Sequence, residues 1–284
     1  LKAPITVARG HRLRRPYNHA MANEHPYVLD NQAPEAGNRF DALSRLFDAT
    51  TFGHLDRLGV TSGWKVWEVG AGSPGVARRL SQLVGDTGRV LATDIDTSWL
   101  DADETRRYDV VRHNVVSDAA PSDDFDLIHA RLVLVHLGER AMVIGSLVDA
   151  LRSGGWLLLE EADPMLQSKV CPDEWGDEQR LANKLKDGFR SILREGGVDL
   201  EFGRTLPQHL RSAGLVDVEA DAYFPMSGVW CDELERATIE QIRDRLVRAG
   251  LATNEEIERH LRNVVGHQLD LATSPLISAW GRKP

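Results

Sequence analysis

The chain has 284 residues, 42% hydrophobic and 27% charged, the make-up of an ordinary globular protein long enough for one α/β domain with sizeable insertions. Its formal charge of -9, from 34 basic against 43 acidic residues, works against non-specific attraction to nucleic-acid phosphates or anionic lipid. The longest apolar runs, such as residues 132–137 and 156–159, fall far short of the roughly 20 residues a membrane span needs, and the two cysteines, Cys171 and Cys231, read as idle thiols in a reducing cytoplasm.

The first twenty residues carry Lys2, Arg9, Arg12, Arg14 and Arg15, with no acidic residue before Glu24. They lack the amphipathic period of a transit peptide. Met21 is the expected natural start, and residues 1–24 are expected to be a basic extension, disordered or foreign to the native protein. From residue 30 to about 58, Phe40, Leu43, Leu46, Phe47 and Leu55 recur at three- and four-residue steps, which predicts a helical N-terminal cap over 25–60. Gly59 and Ser62-Gly63 then punctuate the chain.

Residues 64–69 read as a strand running into a glycine-rich turn and a helix to about Val84. Next come strands at 89–93 and 109–114, separated by a short helix after Thr97. A Pro-, Ser- and Asp-rich loop leads to a strand at 125–130, a helix from about Gly138 to Leu151, a Gly154-Gly155 turn and a strand at 156–160. Strands alternating with helices at this spacing predict a parallel sheet covered on both faces, with 61–163 as the cofactor-binding core.

Residues 164–284 hold the rest. A helix from about Trp175 to Glu195 is stopped by Gly196-Gly197, a helix follows at 206–213, then a strand at 216–222, two more helices and a last strand at 276–280. Asp232 with Glu235 and Thr253 with Glu256 have the spacing of capping boxes, and Gly250 is placed to end the first of these two helices. The expected fold is therefore α/β and Rossmann-like: a seven-stranded, mostly parallel sheet with helices on both faces, a helical cap, and helical lid insertions at 165–201 and 223–271. Trp175, Phe189, Phe202, Tyr223, Phe224, Met226 and Trp230 would make that lid apolar.

The segment from Val66 to Gly75 contains GxGxxG, with Gly70, Ala71, Gly72 and Gly75, between a strand and a helix. Glycines there permit a tight turn and close approach of backbone amides to a ligand, but nicotinamide and flavin sites use the same spacing. Glu68 separates the possibilities. A carboxylate two residues before the first glycine repels a pyrophosphate, whereas the ammonium and sulfonium of S-adenosylmethionine are attracted to it. About twenty residues on, Asp94 stands where a carboxylate accepts both ribose hydroxyls. Ile95 is placed to cover a face of the adenine, and Asp96 has the solvated role. Asn114 and the amide of Val115 end the third strand, where they can read the adenine edge, although Asn is also a common turn former.

With these residues in view, the chain resembles the class I S-adenosylmethionine-dependent methyltransferases, in particular the small-molecule, ubiquinone-biosynthesis-like group of actinobacterial secondary metabolism. The resemblance runs from Tyr27-Val28-Leu29-Asp30 through GWKVWEVGAG at 63–72, GRVLATDID at 88–96, FDLIHARLVLVHL at 125–137 and SGGWLLLEE at 153–161 to SAWGRKP at 278–284. It implies that Glu68, Gly70 and Gly72 hold the methionyl part, Asp94 the ribose, Asn114 with Val115 the adenine, and the backbone at Ala130 the methionyl group, with S-adenosylhomocysteine as product. Two departures stand out: the adenine position is more often Asp, so Asn114 gives up a charged acceptor, and Ser73-Pro74 replace smaller residues, which could shift the loop.

Methyl transfer from a sulfonium needs mainly alignment and exclusion of water. If a catalytic base exists, His136 is the first candidate, after the fourth strand at the sheet's carboxyl edge, although a lone His in an apolar run is more often structural. Arg131 can bind a substrate anion or make a structural ion pair. His260, His267 and Glu256 would share a helix face, but His260 and His267 are two turns apart, so no metal is expected. The expected partner is a small, lipophilic acceptor, with neither nucleic acid nor membrane, and a homodimer left open. Three alternatives stand beside this reading: a cofactor-retaining member that binds a ligand or guides a cyclisation, a macromolecular methyltransferase, and an NAD(P)-dependent oxidoreductase.

Overall fold

Seven short segments rich in Val, Leu, Ile and Ala pair edge to edge in a computed structural model that describes residues 28, 29, 31 and 36–284. The reading of residues 1–24, and of Met21 as the start, lies outside the described residues. The strands are β1 (Lys65–Val69), β2 (Arg89–Asp94), β3 (Asp109–Arg112), β4 (Phe125–Arg131), β5 (Leu151–Ala162), β6 (Val216–Tyr223) and β7 (Leu276–Arg282). They lie in the order β3-β2-β1-β4-β5-β7-β6. The first five run parallel, and β7 runs against both its neighbours. The strand order reverses between β1 and β4, which opens a crevice at their carboxyl ends, the usual ligand position in such sheets.

The helices are α1 (Ala36–Arg57), α2 (Pro74–Val84), α3 (Ser98–Asp101), α4 (Arg140–Ala150), α5 (Asp177–Glu195), α6 (Phe202–Ser212), α7 (Val229–Arg248) and α8 (Asn254–Val265), with a 3₁₀ turn at Leu134–His136. Alternation along the strands divides the core. Val66, Leu127, Leu158 and Trp280 pack with Leu80 and Val84 of α2 and Leu55 of α1. Trp67, Ile128, Leu157 and Leu159 pack on the opposite face with Ile144 and Leu147 of α4 and Leu206 and Leu210 of α6. A third cluster joins Leu46 and Phe47 of α1 to Val170, Cys171, Cys231 and Leu271. Burial pushes both thiols up to about 11, which suits their reading as idle. Among the described residues no helix is long and apolar enough to cross a membrane.

Three local expectations need correction. Gly154 and Gly155 do not close a turn. They belong to β5, Gly154 at φ +76 in a bulge that shifts the register between Phe125 and Leu127. Helix α6 begins at Phe202, four residues early, because Asp163 accepts the backbone N–H of Arg204 at 3.0 Å and its guanidinium at 2.6 Å. That cap comes from a distant carboxylate and leaves no local signal. Helix α7 begins at Val229, so Asp232 and Glu235 form no capping box; their carboxylates instead meet His267 Nδ1 at 2.6 Å and His260 Nε2 at 3.1 Å.

The end of α7 follows the sequence. Gly250, at φ +66, donates to Val247 and Leu251 donates to Leu246, each at 3.0 Å, the double bond of a Schellman cap. At the start of α8 the Thr253 hydroxyl accepts the Glu256 N–H at 3.2 Å, and the Glu256 carboxylate accepts the Thr253 N–H at 3.0 Å. Thr253→Ala is expected to cost about 1 kcal/mol, read as a lower urea midpoint at unchanged slope.

Candidate active site

The turn after β1 is built for close approach. Gly70 and Gly72 have φ of +61 and +58, and a Cβ on Gly70 would stand 2.4 Å from Val133 Cγ2. Ala71 donates to the Thr93 carbonyl at 3.0 Å, tying the turn to β2. Pro74 takes the first position of α2, where its missing N–H has no intrahelical partner to lose. Beside Gly75, α1 places Asp48, whose carboxylate would lie 2.9 Å from a Cβ there and accepts Arg131 Nη2 at 2.8 Å. The helix start that holds a pyrophosphate in dinucleotide sites thus already faces an acid. Arg131 also donates to Thr51 Oγ1 at 3.0 Å, so it makes the structural ion pair rather than standing open for a substrate anion.

Asp94, at the end of β2 and only 6% exposed, accepts the amides of Gly72 at 2.9 Å and Asp96 at 3.0 Å. Burial pushes its carboxyl above the ordinary value, and these amides pull against that. Ile95 beside it is 57% exposed, an aliphatic face left to solvent. Asp96 turns away to accept the Ser98 N–H at 3.0 Å. Asn114 is exposed beyond β3; its Oδ1 accepts the Val116 N–H at 3.0 Å, which makes it a turn former, with one lone pair still open. Val115 is half-buried against the core, and Ala130 is fully buried at the end of β4. Two left-handed glycines, a buried carboxylate facing them and an exposed aliphatic next to it fit a ligand with an ammonium, a ribose and a flat base. S-adenosylmethionine has those parts.

Glu68 is not solvated. It is 2% exposed, and its carboxylate accepts His129 Nδ1 at 2.6 Å. His129 Nε2 lies 3.3 Å from Glu160, which also takes His54 Nδ1 at 3.0 Å, the Ser278 hydroxyl at 2.7 Å and the Thr51 hydroxyl at 2.5 Å. His54 Nε2 reaches Asp221 at 3.0 Å. A row of polar groups therefore crosses β1, β4, β5, β7 and β6 under α1, with Glu68 opposite His129, Glu160 opposite Ser278 and Ser278 opposite Asp221, and a two-residue step between His129 and Glu160. Burial disfavours the His129 imidazolium, but Glu68 and Glu160 outweigh it and push the pKa up to about 9, while Glu160 is held well below the usual carboxylate range by both imidazoles. His129 was readable in FDLIHARLVLVHL as a polar residue in the middle of an apolar strand. Its partners on three other strands were not.

A cavity with about 150 Å³ of room opens beside the turn, between α1, α5, α7 and the segment after β4. Leu43, Phe47, Leu132, Val135, Leu193 and Leu276 supply much of its apolar wall. His136 lines it, as expected of a base candidate, yet burial, with the charges of Arg39 and Arg140, pulls its pKa down to about 4, so at neutral pH it is an uncharged acceptor and a weak base. Both insertions reach the cavity, but the aromatic lid is smaller than expected. Phe189 lines the cavity, Phe202 at the start of α6 is buried in the core, and Trp175 is 94% exposed. Tyr223, Phe224, Met226 and Trp230 lie on the surface. His260 and His267 serve separate carboxylates, and Glu256 serves its cap and Lys184.

Glu161 is a further residue that sequence reading missed. Fully buried, it accepts the N–H groups of Val133 at 3.1 Å, Leu134 at 2.7 Å and Val135 at 3.3 Å, and so holds the 3₁₀ turn that packs on Gly70. Leu132 enters this turn at φ 59, an unusual conformation for a branched residue.

The chain is similar to known methyltransferases. Residues 67–157 match the family described as "Methyltransferase domain". Over 202 residues the chain is 28% identical to methyltransferase str2 of Strobilurus tenacellus, covering 68% of this chain and 67% of that protein. Over 190 residues it is 30% identical to the ubiquinone/menaquinone biosynthesis C-methyltransferase UbiE of Laribacter hongkongensis, covering 57% of this chain and 76% of that protein. Against UbiE of Saccharophagus degradans it spans only 46% of the relative's length. Its fold matches phosphoethanolamine N-methyltransferase 2 of Haemonchus contortus, solved with S-adenosylhomocysteine and phosphomonomethylethanolamine, at a TM-score of 0.56 and 14% identity, over 91% of this chain and 60% of that one.

Proposed function

Because the chain belongs to the class I S-adenosylmethionine-dependent methyltransferases, we propose that it transfers a methyl group to a small, lipophilic acceptor of secondary metabolism held in the cavity beside the glycine turn. The observation that carries this reading is the adjacency of the two: Leu132, Val135 and His136 line the cavity, and Val133 between them packs on Gly70. The cofactor supplies an activated methyl on a positive sulfur, so the protein's work is alignment and exclusion of water. In this reading the Gly70 and Gly72 backbone accommodates the methionyl group, Asp94 accepts the ribose hydroxyls in place of the Gly72 and Asp96 amides, and Ile95 and Asn114 bracket the adenine.

Glu68 would act with His129 as one unit, a buried carboxylate whose charge is already shared. His136, uncharged at pH 7, would accept a hydrogen bond from the acceptor and orient it rather than remove a proton outright. Crowding by α1 over the turn, with Phe40 against Gly72 and Asp48 against Gly75, would keep water away. The net charge of -9 favours a small-molecule partner over a nucleic acid.

The test is calorimetric titration with S-adenosylhomocysteine, with NAD and NADP as controls. Micromolar binding of the first alone is expected, and Asp94→Ala should weaken it more than tenfold, about 1.4 kcal/mol. Binding of a dinucleotide alone would reverse the assignment. Unchanged affinity in Asp94→Ala would remove Asp94 from the cofactor site.

A further inference from the structure

The cavity is apolar on most of its wall but carries one buried ammonium. Lys186, on α5, is 8% exposed and lines the cavity; its Nζ lies 5.6 Å from the ring centroid of Phe189, another wall residue. Among the described residues no carboxylate comes within ion-pair distance of Nζ, and no hydrogen-bond partner reaches it. Glu235, which also lines the cavity, is the acid nearest in charge effect; one of its carboxylate oxygens meets His260 Nε2 at 3.1 Å. Burial pulls the Lys186 pKa down, and the Glu235 charge only partly offsets that. An ammonium in such surroundings is unfavourable unless an anion reaches it. Evolving a Leu or Met at this helix position would fill the wall without that cost, so the charge calls for a role in what the cavity holds.

We propose that the acceptor carries an acidic oxygen, a carboxylate or an acidic ring hydroxyl, on an apolar body about the size of one six-membered ring, and that Lys186 pairs with that oxygen. The body size follows from the volume: an apolar cavity of about 150 Å³ accommodates a benzene-sized group. Arg39 lines the same wall, its guanidinium donating to Gln241 Oε1 at 3.2 Å and Asn31 Oδ1 at 2.7 Å. This inference rests on the cofactor reading above, because the cavity is an acceptor site only if the turn beside it holds S-adenosylmethionine.

The experiment is titration of benzoate, 4-hydroxybenzoate and phenylacetate, against benzamide and phenylacetamide, into the full chain saturated with S-adenosylhomocysteine. At least one acid should bind ten times or more tighter than its neutral amide or the unsubstituted amide. Lys186→Met should abolish that preference and Lys186→Arg should keep most of it, with S-adenosylhomocysteine affinity within twofold of the parent in both, which also certifies that they fold. Acids binding no better than amides, or a preference that survives Lys186→Met, would overturn the proposal while leaving the cofactor reading intact. Failure of S-adenosylhomocysteine itself to bind the parent protein would strike the cofactor reading, and the acceptor site with it.

Discussion

His129→Leu should cost about 3–5 kcal/mol of stability, because it leaves the buried Glu68 carboxylate without its imidazole partner and removes one of the two imidazoles on Glu160. Glu68 and Glu160 are 2% and 0% exposed, and His129 lies between them at 2.6 and 3.3 Å. Replacing the imidazole by an isobutyl group fills most of the volume but removes the positive charge that both acids share. Glu160 keeps His54, Thr51 and Ser278, whereas Glu68 loses its only side-chain donor among the described residues. His129→Gln, which keeps a donor but no charge, should fall between Leu and the parent.

The same pair gives a pH signature. The folded pKa of His129, about 9, exceeds its ordinary 6.5, so the stabilisation is fully present below about pH 6.5 and is lost as pH rises through 9. Urea-unfolding free energy of the parent should therefore fall by about 3 kcal/mol between pH 6.5 and 9.5, and the His129→Leu curve should be flatter over that window. Parallel curves would mean that His129 is uncharged in the fold and that the buried acids are balanced in another way.

This polar row marks the limit of what the sequence discloses. Strand positions, the glycine turn, Asp94 and the helical cap were legible because each leaves a local trace: alternation, a positive-φ glycine pair, a carboxylate at a strand end, a 3.6-residue period. The register that sets Glu68 opposite His129, and Glu160 opposite Ser278, depends on strands far apart in the chain and has no local trace. The same holds for Asp163 capping α6 and Glu161 holding the 3₁₀ turn. Asp232 and Glu235 show the converse: a capping-box spacing occurs, but both carboxylates have stronger partners in the histidines of α8 and the loop after it. A lysine on an amphipathic helix reads as solvated from sequence; Lys186 is buried where α5 packs against α7 and α8.

Gly70→Ala is expected to lower stability by about 2–4 kcal/mol and to weaken S-adenosylhomocysteine binding by at least thirtyfold, about 2 kcal/mol. Two separate costs add. An alanine at φ +61 occupies the left-handed region at about 1–2 kcal/mol. Its Cβ would also stand 2.4 Å from Val133 Cγ2 and 3.3 Å from Cγ1, so Val133 must move. Movement is hard, because Val133 is branched at Cβ and its N–H is fixed to Glu161, next to Leu132 at φ 59. Relief by displacing the turn itself would carry Gly72 away from Asp94, 2.9 Å from its amide, and so deform the place proposed for the ribose. The double variant Gly70→Ala with Val133→Ala separates the costs: removing the overlap should restore part of the affinity and leave the backbone strain. Gly138→Ala, with no atom within 4 Å of the added Cβ, is the neutral control. If Gly70→Ala bound the ligand like the parent, the amides of this turn would not approach the cofactor, and the cavity would have to be assigned without it.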